Sequence, residues 1–165
     1  MRKQKITELI QLHIERCRPG DWEHAKRVVR WVKELGQGRS DLILLITAGY
    51  IHDIGWRDLV SQEKMTLKKL LELEPKANKN SELYATKVLY QLNFKKDEIE
   101  KILRLVSAAD KHKAGLEDEE IIVDADQLSK LDIKHLQEKF QKSEWVEMCG
   151  RWKEKIKNYV VYKNP

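Results

Sequence analysis

The sequence predicts an all-α protein, a compact bundle of seven or eight helices that forms a single domain over residues 1–165. Apolar residues recur at helical spacing along nearly the whole chain, whereas no segment shows the apolar–polar alternation of a strand. No internal repeat or low-complexity segment stands out. With 165 residues, of which 41% are hydrophobic, the chain is long enough to bury a substantial core without disulfide cross-links.

The first three helices follow from their apolar positions and from the residues that end them. Residues 6–14 carry an amphipathic stripe, and the helix is expected to end at Arg18-Pro19-Gly20. Asp21 is a suitable N-cap for a second helix that stops at Gly36. A third helix is expected from residue 42 to about residue 54, and because it is apolar on all faces we expect it to be central.

The second half of the chain predicts further helices separated by loops. A leucine stripe over residues 67–73 is expected to end at Pro75, and the polar residues 76–80 are expected to form a loop. The remaining helical stretches are residues 81–92, 98–110, 121–131 and 133–162. In the last stretch Trp145, Trp152 and Tyr159 recur every seven residues, which indicates core packing or a dimer seam, with a ligand surface as the alternative.

The charge balance fits small anionic substrates and is also compatible with weak nucleic-acid contact. The formal net charge is +5 and the pI is about 9.1, with basic and acidic residues mixed along the chain. No block of like charge forms a basic arm, and no basic stripe carries interleaved aromatic residues. These patterns argue against a nucleic-acid phosphodiesterase.

Cysteine usage and hydropathy indicate a cytoplasmic protein. Cys17 and Cys149 are far apart and neither belongs to a CxxC pair, which excludes zinc-ribbon and thioredoxin-like sites. Two separate structural thiols fit a reducing compartment. No apolar run approaches about 20 residues, so we expect neither a membrane span nor a membrane partner.

One dipeptide is the strongest functional signal in the chain. His52 and Asp53 stand side by side in an otherwise apolar segment, where an imidazole or a carboxylate is costly to bury unless it is satisfied. A divalent metal ion would satisfy both side chains at once. Further ligand candidates occur at separated points, namely His24 and the acidic pair Asp124 and Asp126. This order, with each candidate on its own helical segment, indicates a metal site between helices.

Three segments carry a family resemblance. Residues 21–28, 48–55 and 124–129 have the sequences DWEHAKRV, AGYIHDIG and DADQLS. Together they resemble the HD-domain metal-dependent phosphohydrolases, in particular the small single-domain bacterial and archaeal members. The resemblance covers about residues 18–132, and the helices over 133–162 are expected to pack on that region.

The resemblance implies a helical domain that holds a divalent ion with His24, His52, Asp53 and one late aspartate. In the family pattern Ala-Asp-x-Leu the late ligand is Asp126. Asp124 lies two residues earlier, about 200° away around a helix, and is the alternative ligand. Two imidazoles and two carboxylates suit Mn²⁺, Fe²⁺, Co²⁺, Ni²⁺ or Zn²⁺, and Mg²⁺ is a further candidate.

The function implied is that of a metal-dependent phosphohydrolase. It would cleave a phosphomonoester or pyrophosphate bond of a small anionic substrate, with nucleotides among the candidates. The ion would polarise the P–O bond and lower the pKa of a water molecule from ~15.7 toward neutrality, and Asp53 could accept the proton. The alternative is a regulatory HD module that binds metal and nucleotide with little or no turnover.

Two departures from the family favour the alternative modestly. Many small members carry a histidine where this chain has Ala109, and the deoxynucleoside 5′-monophosphatases carry a glutamate where it has Trp56. The proton-transfer residue therefore has to come from elsewhere, and Asp110 and His112 are candidate general acids.

Cations and aromatic residues near the motifs are candidates for substrate binding. Arg27, Arg57 and Lys111 are expected to bind phosphate, and Arg27 lies three residues after His24 on the same helix face. Lys113 is a weaker candidate of the same kind. Trp22 and Trp56 are expected in the core, with stacking on a substrate as the alternative. His13 and His135 lie outside the pattern and are expected to be structural or exposed.

Overall fold

The computed structural model describes residues 2–61 and 63–163, with side chains over 6–61 and 63–154. This part of the chain is helical and contains no strand, which confirms the predicted fold class. Two short 3₁₀ helices span Ile54–Trp56 and Lys142–Glu144. The α-helices of the described residues are α1 (Arg2–Ile14), α2 (Asp21–Leu35), α3 (Leu42–Ile51), α4 (Leu67–Gln91), α5 (Lys96–Lys111), α6 (Glu117–Ser129), α7 (Ile133–Lys139) and α8 (Trp145–Lys163).

Helix α3 is central, as its apolar sequence predicts. Leu45, Ala48 and Ile51 are fully buried in a core cluster that also contains Val28 and Val32 of α2. A Cβ atom at Gly49 of α3 would lie 3.2 Å from Val29 of α2, so glycine allows the two helices to approach closely. This packing brings the C-terminal end of α3 next to α2, where the candidate ligands lie.

Helix α4 corrects the prediction of a break at Pro75. The chain runs as one helix of 25 residues through Pro75, and no loop forms over residues 76–80. Proline removes one backbone hydrogen bond and disfavours the helix interior. Tertiary packing overrides this cost, because Ala77 and Ser81 are buried where the 3₁₀ helix at Gly55 crosses α4.

The predicted helical stretch over 133–162 is divided in two. Phe140 is extended, with φ −119° and ψ 152°, and forms an isolated bridge with Met65. In that bridge the Met65 amide donates to the Lys139 carbonyl oxygen at 2.9 Å, and the Gln141 amide donates to the Met65 carbonyl oxygen at 3.3 Å. The break turns α8 back toward the N-terminal end of α4.

A second apolar cluster, the cap cluster, forms around this break. Its buried members are Leu67, Leu136, Phe140 and Met148, and Trp145 and Trp152 pack against it. The aromatic residues of α8 therefore lie in packed positions, as core packing requires. The side chain of Tyr159 lies outside the described residues.

The cysteines are separate thiols. Cys17 is buried and Cys149 is exposed, and both are free. No helix of the described residues combines the length and the apolar character that a membrane crossing requires.

Candidate metal centre

The structure brings the four predicted metal-ligating residues together at one point. His24 lies on the buried face of α2, four residues before Val28, and Asp126 lies on the buried face of α6. Helix α3 ends at Ile51, and the following turn presents His52 and Asp53 to the same place. His24 is 0% exposed, His52 4% and Asp126 1%.

The ligand atoms lie at the distances of a shared ion. His24 Nε2 is 3.1 Å from His52 Nε2 and 3.1 Å from Asp126 Oδ1. Asp53 Oδ2 is 3.6 Å from His24 Nε2 and 3.5 Å from His52 Nε2. Two atoms that each lie about 2.1 Å from one ion are roughly 3.0 Å apart at a right angle and roughly 3.4 Å apart at the tetrahedral angle. The buried group His24, His52 and Asp126 could therefore hold a metal ion.

Hydrogen bonds fix both imidazoles with Nε2 facing the shared point. His52 Nδ1 lies 3.0 Å from the Gly49 carbonyl oxygen, which can only accept, so Nδ1 carries the proton. The Ser129 hydroxyl donates to the Asp126 carbonyl oxygen at 2.7 Å and therefore accepts from His24 Nδ1 at 3.1 Å. In the neutral imidazoles both Nε2 atoms consequently present lone pairs, as metal ligands do.

A positive charge between the groups would stabilise this arrangement. Two lone pairs face each other across 3.1 Å beside the Asp126 carboxylate, and like-signed groups at such distances repel. Burial and the nearby charge of Lys139 lower the pKa of His24 well below its ordinary value, so its ring is neutral. Burial opposes a charge on His52, yet Asp53 and Asp126 raise its pKa. The donor set thus fits a divalent cation.

The two carboxylates are held ionised by neighbouring cations. Asp53 Oδ2 lies 2.6 Å from Arg18 Nη2 and 3.2 Å from Lys139 Nζ. Burial opposes the charge on Asp53, but these two cations hold its pKa well below the usual range. Asp126 Oδ2 accepts from Lys130 Nζ at 2.5 Å, and its pKa is likewise well below the usual range despite its burial.

A cavity of about 230 Å³ opens beside the four candidate ligands. Asp110 and His112, the predicted general acids, both line it. Burial, supported by the charges of Asp53 and Asp126, raises the pKa of Asp110 to about 7. His112 ends α5 in the left-handed conformation, with φ 50°, and its Nδ1 lies 3.1 Å from Gln127 Nε2.

The predicted substrate-binding cations lie elsewhere. Arg27 Nη2 donates to Glu138 Oε2 at 2.9 Å, Arg57 Nη1 lies 2.7 Å from His13 Nδ1, and Lys111 is exposed. None of these three lines the cavity beside the metal ligands.

Other cations take that position. Arg18, Lys130 and Lys139 line the cavity beside the ligands. Lys130 follows Asp126 by four residues on one helix, a spacing that could have identified it. Lys139 is 86 residues from Asp53 in sequence, and no local pattern connects the two.

Two further side chains of the site were not predicted to belong to it. Ser129 orients His24, as described above. His135 was expected to be structural or exposed, and it is buried at 4% exposure, lines the cavity and lies 4.8 Å from His24 between ring centroids. Its Nδ1 has no hydrogen-bond partner among the described residues.

The tryptophans near the motifs occupy packed positions. Trp56 is 4% exposed, and the Arg18 guanidinium lies 4.2 Å from its ring centroid. Trp22 stacks on Tyr50 with the ring centroids 5.4 Å apart.

The arrangement can hold a divalent cation against two imidazoles and two carboxylates, with buried cations beside it. Chemically, such a centre can bind an anion next to the metal and activate it. Comparison with known proteins gave no match to any protein-family model, curated protein or solved structure.

Proposed function

We propose that this protein is a metal-dependent phosphohydrolase of the HD-domain type that cleaves a phosphomonoester or pyrophosphate bond of a small substrate. One observation carries the proposal. His52 Nε2 and the carboxylates of Asp53 and Asp126 all lie within 3.6 Å of His24 Nε2, at the edge of a cavity. A divalent ion in this site supplies Lewis-acid chemistry, because it polarises a phosphoryl oxygen and acidifies water.

The charges around the site favour a dianionic phosphoryl group. Three acidic and three basic side chains contact one another here and balance in formal charge. A divalent ion therefore adds two positive charges that the protein does not neutralise, and the dianion of a phosphomonoester would neutralise them. A phosphodiester brings one negative charge and matches less well. The acidic residues are Asp21, Asp53 and Asp126, and the basic residues are Arg18, Lys130 and Lys139.

Each cation has a defined task in this proposal. Arg18 and Lys139 hold the Asp53 carboxylate in place, since both lie within 3.2 Å of its Oδ2 atom. Lys130 holds Asp126 by its second oxygen, Oδ2, which leaves Oδ1 toward the imidazoles. The same three cations line the cavity, where they attract the phosphoryl oxygens of the substrate.

Asp110 is the proposed proton donor to the leaving group. It lines the cavity, and in the metal-free protein burial raises its pKa to about 7, well above that of an ordinary aspartate. A general acid is most effective when its pKa lies near the working pH. Asp110 thus takes the proton-transfer role that Ala109 and Trp56, which stand where the family has a histidine and a glutamate, do not supply.

The test combines metal binding with turnover. Mn²⁺ or Ni²⁺ should raise the thermal midpoint of the purified protein, and the loaded protein should release phosphate from phosphomonoesters or pyrophosphate. His52→Ala should abolish both effects, whereas His13→Ala, which changes a histidine away from the cavity, should retain both. A wild-type midpoint that none of the tested ions moves would contradict the metal centre. If the loaded protein binds phosphate but hydrolyses none of the esters, it is a binding module rather than a hydrolase.

A further inference from the structure

The cavity has one charged end and one apolar wall. The wall is formed by Leu67 and Leu70 of α4, Phe140 after α7, and Met148 and Trp152 of α8. These residues belong to the cap cluster or pack against it, and Leu70 also packs against the main core. Three of the five lie beyond position 132, and the same segment supplies Lys139 to the charged end.

The apolar wall begins next to the metal ligands. The ring centroid of His135 lies 4.8 Å from that of His24 and 5.9 Å from that of Trp152. The Phe140 ring lies 6.3 Å from His135 on another side. A phosphoryl group bound at the charged end would therefore place its organic substituent against these aromatic rings.

Several polar side chains beyond the metal ligands and their cations already have partners. The described lining there offers Glu74, Asn78, Asp110, His112, His135 and Arg151. Asn78 Nδ2 already donates to the Asp110 carbonyl oxygen at 3.4 Å, and Arg151 pairs with Glu147 at 3.7 Å. Recognition of sugar hydroxyls or base edges needs several placed donors and acceptors, and this wall provides few.

The size of the cavity points the same way. Its volume is about 230 Å³, whereas pockets for drug-sized ligands measure about 300–1,000 Å³. A phosphoryl group with one ring or a short branched chain matches this smaller volume.

We infer that the substrate is a small phosphomonoester whose organic group is apolar, an aromatic ring or a short branched chain, and that the apolar wall selects it over nucleotides. This inference rests on the proposed function, because the phosphoryl group must bind at the metal centre. Burial of the organic group against the wall supplies affinity that a hydroxylated group of equal size would lose through desolvation.

Phosphonates test the inference without requiring turnover. Calorimetry on the Mn²⁺-loaded protein should show that benzylphosphonate binds about tenfold or more tightly than methylphosphonate, since the two share one anionic group and differ by a ring. Trp152→Ala and, independently, Leu70→Ala should reduce that ratio, with methylphosphonate affinity unchanged as the sign of an intact site. Val146→Ala, at an 85% exposed position of the same helix, should keep the ratio.

The outcomes separate the two proposals. Equal affinity for both phosphonates overturns this inference alone, whereas binding of neither overturns the proposed function and this inference with it. Turnover adds a second readout, because benzyl phosphate and adenosine 5′-monophosphate are both esters of primary alcohols. A higher kcat/KM for benzyl phosphate is expected, and a preference for the nucleotide would overturn the inference.

Discussion

The hydroxyl of Ser129 lies 3.1 Å from Nδ1 of His24 while it donates to the backbone oxygen of Asp126. One turn of α6 thus supplies a candidate ligand, Asp126, and the group that orients another ligand on α2. Because the hydroxyl proton is committed to the Asp126 carbonyl, Ser129 acts as the acceptor and His24 Nδ1 as the donor. The lone pair of His24 Nε2 thereby faces the candidate metal centre.

Ser129→Ala is expected to weaken metal binding by about 10–100-fold, because the ring of His24 loses the partner that fixes its orientation. Calorimetry with Mn²⁺ or Ni²⁺ measures the affinity directly. Ser40→Ala, at an exposed position, is the matched control and should leave it unchanged. An Ser129→Ala protein that binds metal as tightly as the wild type would show that this hydrogen bond does not orient the ligand.

Asp126→Asn and Asp124→Asn are expected to differ sharply. Asp126 is 1% exposed and lies 3.1 Å from His24, whereas Asp124 does not line the cavity. The amide at position 126 removes a charged ligand and leaves Lys130 without its carboxylate, so metal affinity should fall by at least about 100-fold. The same change at position 124 should have little effect. Loss of metal from Asp124→Asn instead would assign the ligand role to that residue.

Asp110 should impose a pH dependence on activity. If its protonated form donates to the leaving group, kcat falls as the pH rises through about 7, the pKa that burial produces. A divalent ion beside Asp53 and Asp126 offsets their charges, so in the loaded protein the decline can begin below 7. In Asp110→Asn the activity should be low and this decline absent. A decline of the same shape in the variant would place the titration on another group.

The same carboxyl group affects the pH dependence of stability. Its pKa is raised from its ordinary value of 3.8 to about 7 on folding, so between these values the folded protein holds this proton more tightly than the unfolded chain. The contribution of Asp110 to the free energy of unfolding of the metal-free protein should therefore fall between about pH 4 and pH 7, while the lowered pKa values of the buried His24 and His135 contribute in the opposite direction. The free energy of unfolding of the wild type minus that of Asp110→Asn should accordingly decrease over this range, as urea titrations of both proteins at several pH values would show.

Gly55→Ala is expected to destabilise the protein by about 3 kcal/mol or more. A Cβ atom at position 55 would lie 2.0 Å from the Ala77 carbonyl oxygen and 2.5 Å from Ser81 Oγ, so the 3₁₀ helix and α4 would have to separate. Gly150→Ala, where nothing lies within 4 Å of the added atom, should be neutral or slightly stabilising. Urea unfolding of both variants measures the difference, and comparable stabilities would contradict the close approach at Gly55.

The elements that local sequence patterns determine could be predicted from the sequence. The helical periodicity predicts the fold class and the end of α2 at Gly36. The predicted caps are wrong in detail, since the N-cap of α2 is Gly20 rather than Asp21 and α5 begins at Lys96, before Asp97. Pro75 shows the limit, since local propensity predicts a break where packing around Ala77 and Ser81 maintains the helix.

The candidate site likewise contains residues that could be predicted from the sequence and residues that could not. His24, His52, Asp53 and Asp126 could be placed together because their spacing resembles a known motif. The cations around the site could not be placed in this way. Arg27 and Arg57 are near the motifs in sequence, but their side chains contact Glu138 and His13. Lys139 reaches Asp53 only through the break after α7, a feature that the helical pattern over 133–162 hides.

Lys139 also ties the shape of the cavity to its electrostatics. It reaches Asp21 at 2.5 Å and Asp53 at 3.2 Å from the same helix that carries His135 and leads into Phe140. A movement of α7 would withdraw the ammonium group from both carboxylates, and of the cations described here Arg18 would still pair with each of them. Displacement of α7 therefore costs electrostatic free energy, so this helix and the charged end of the cavity are expected to move together.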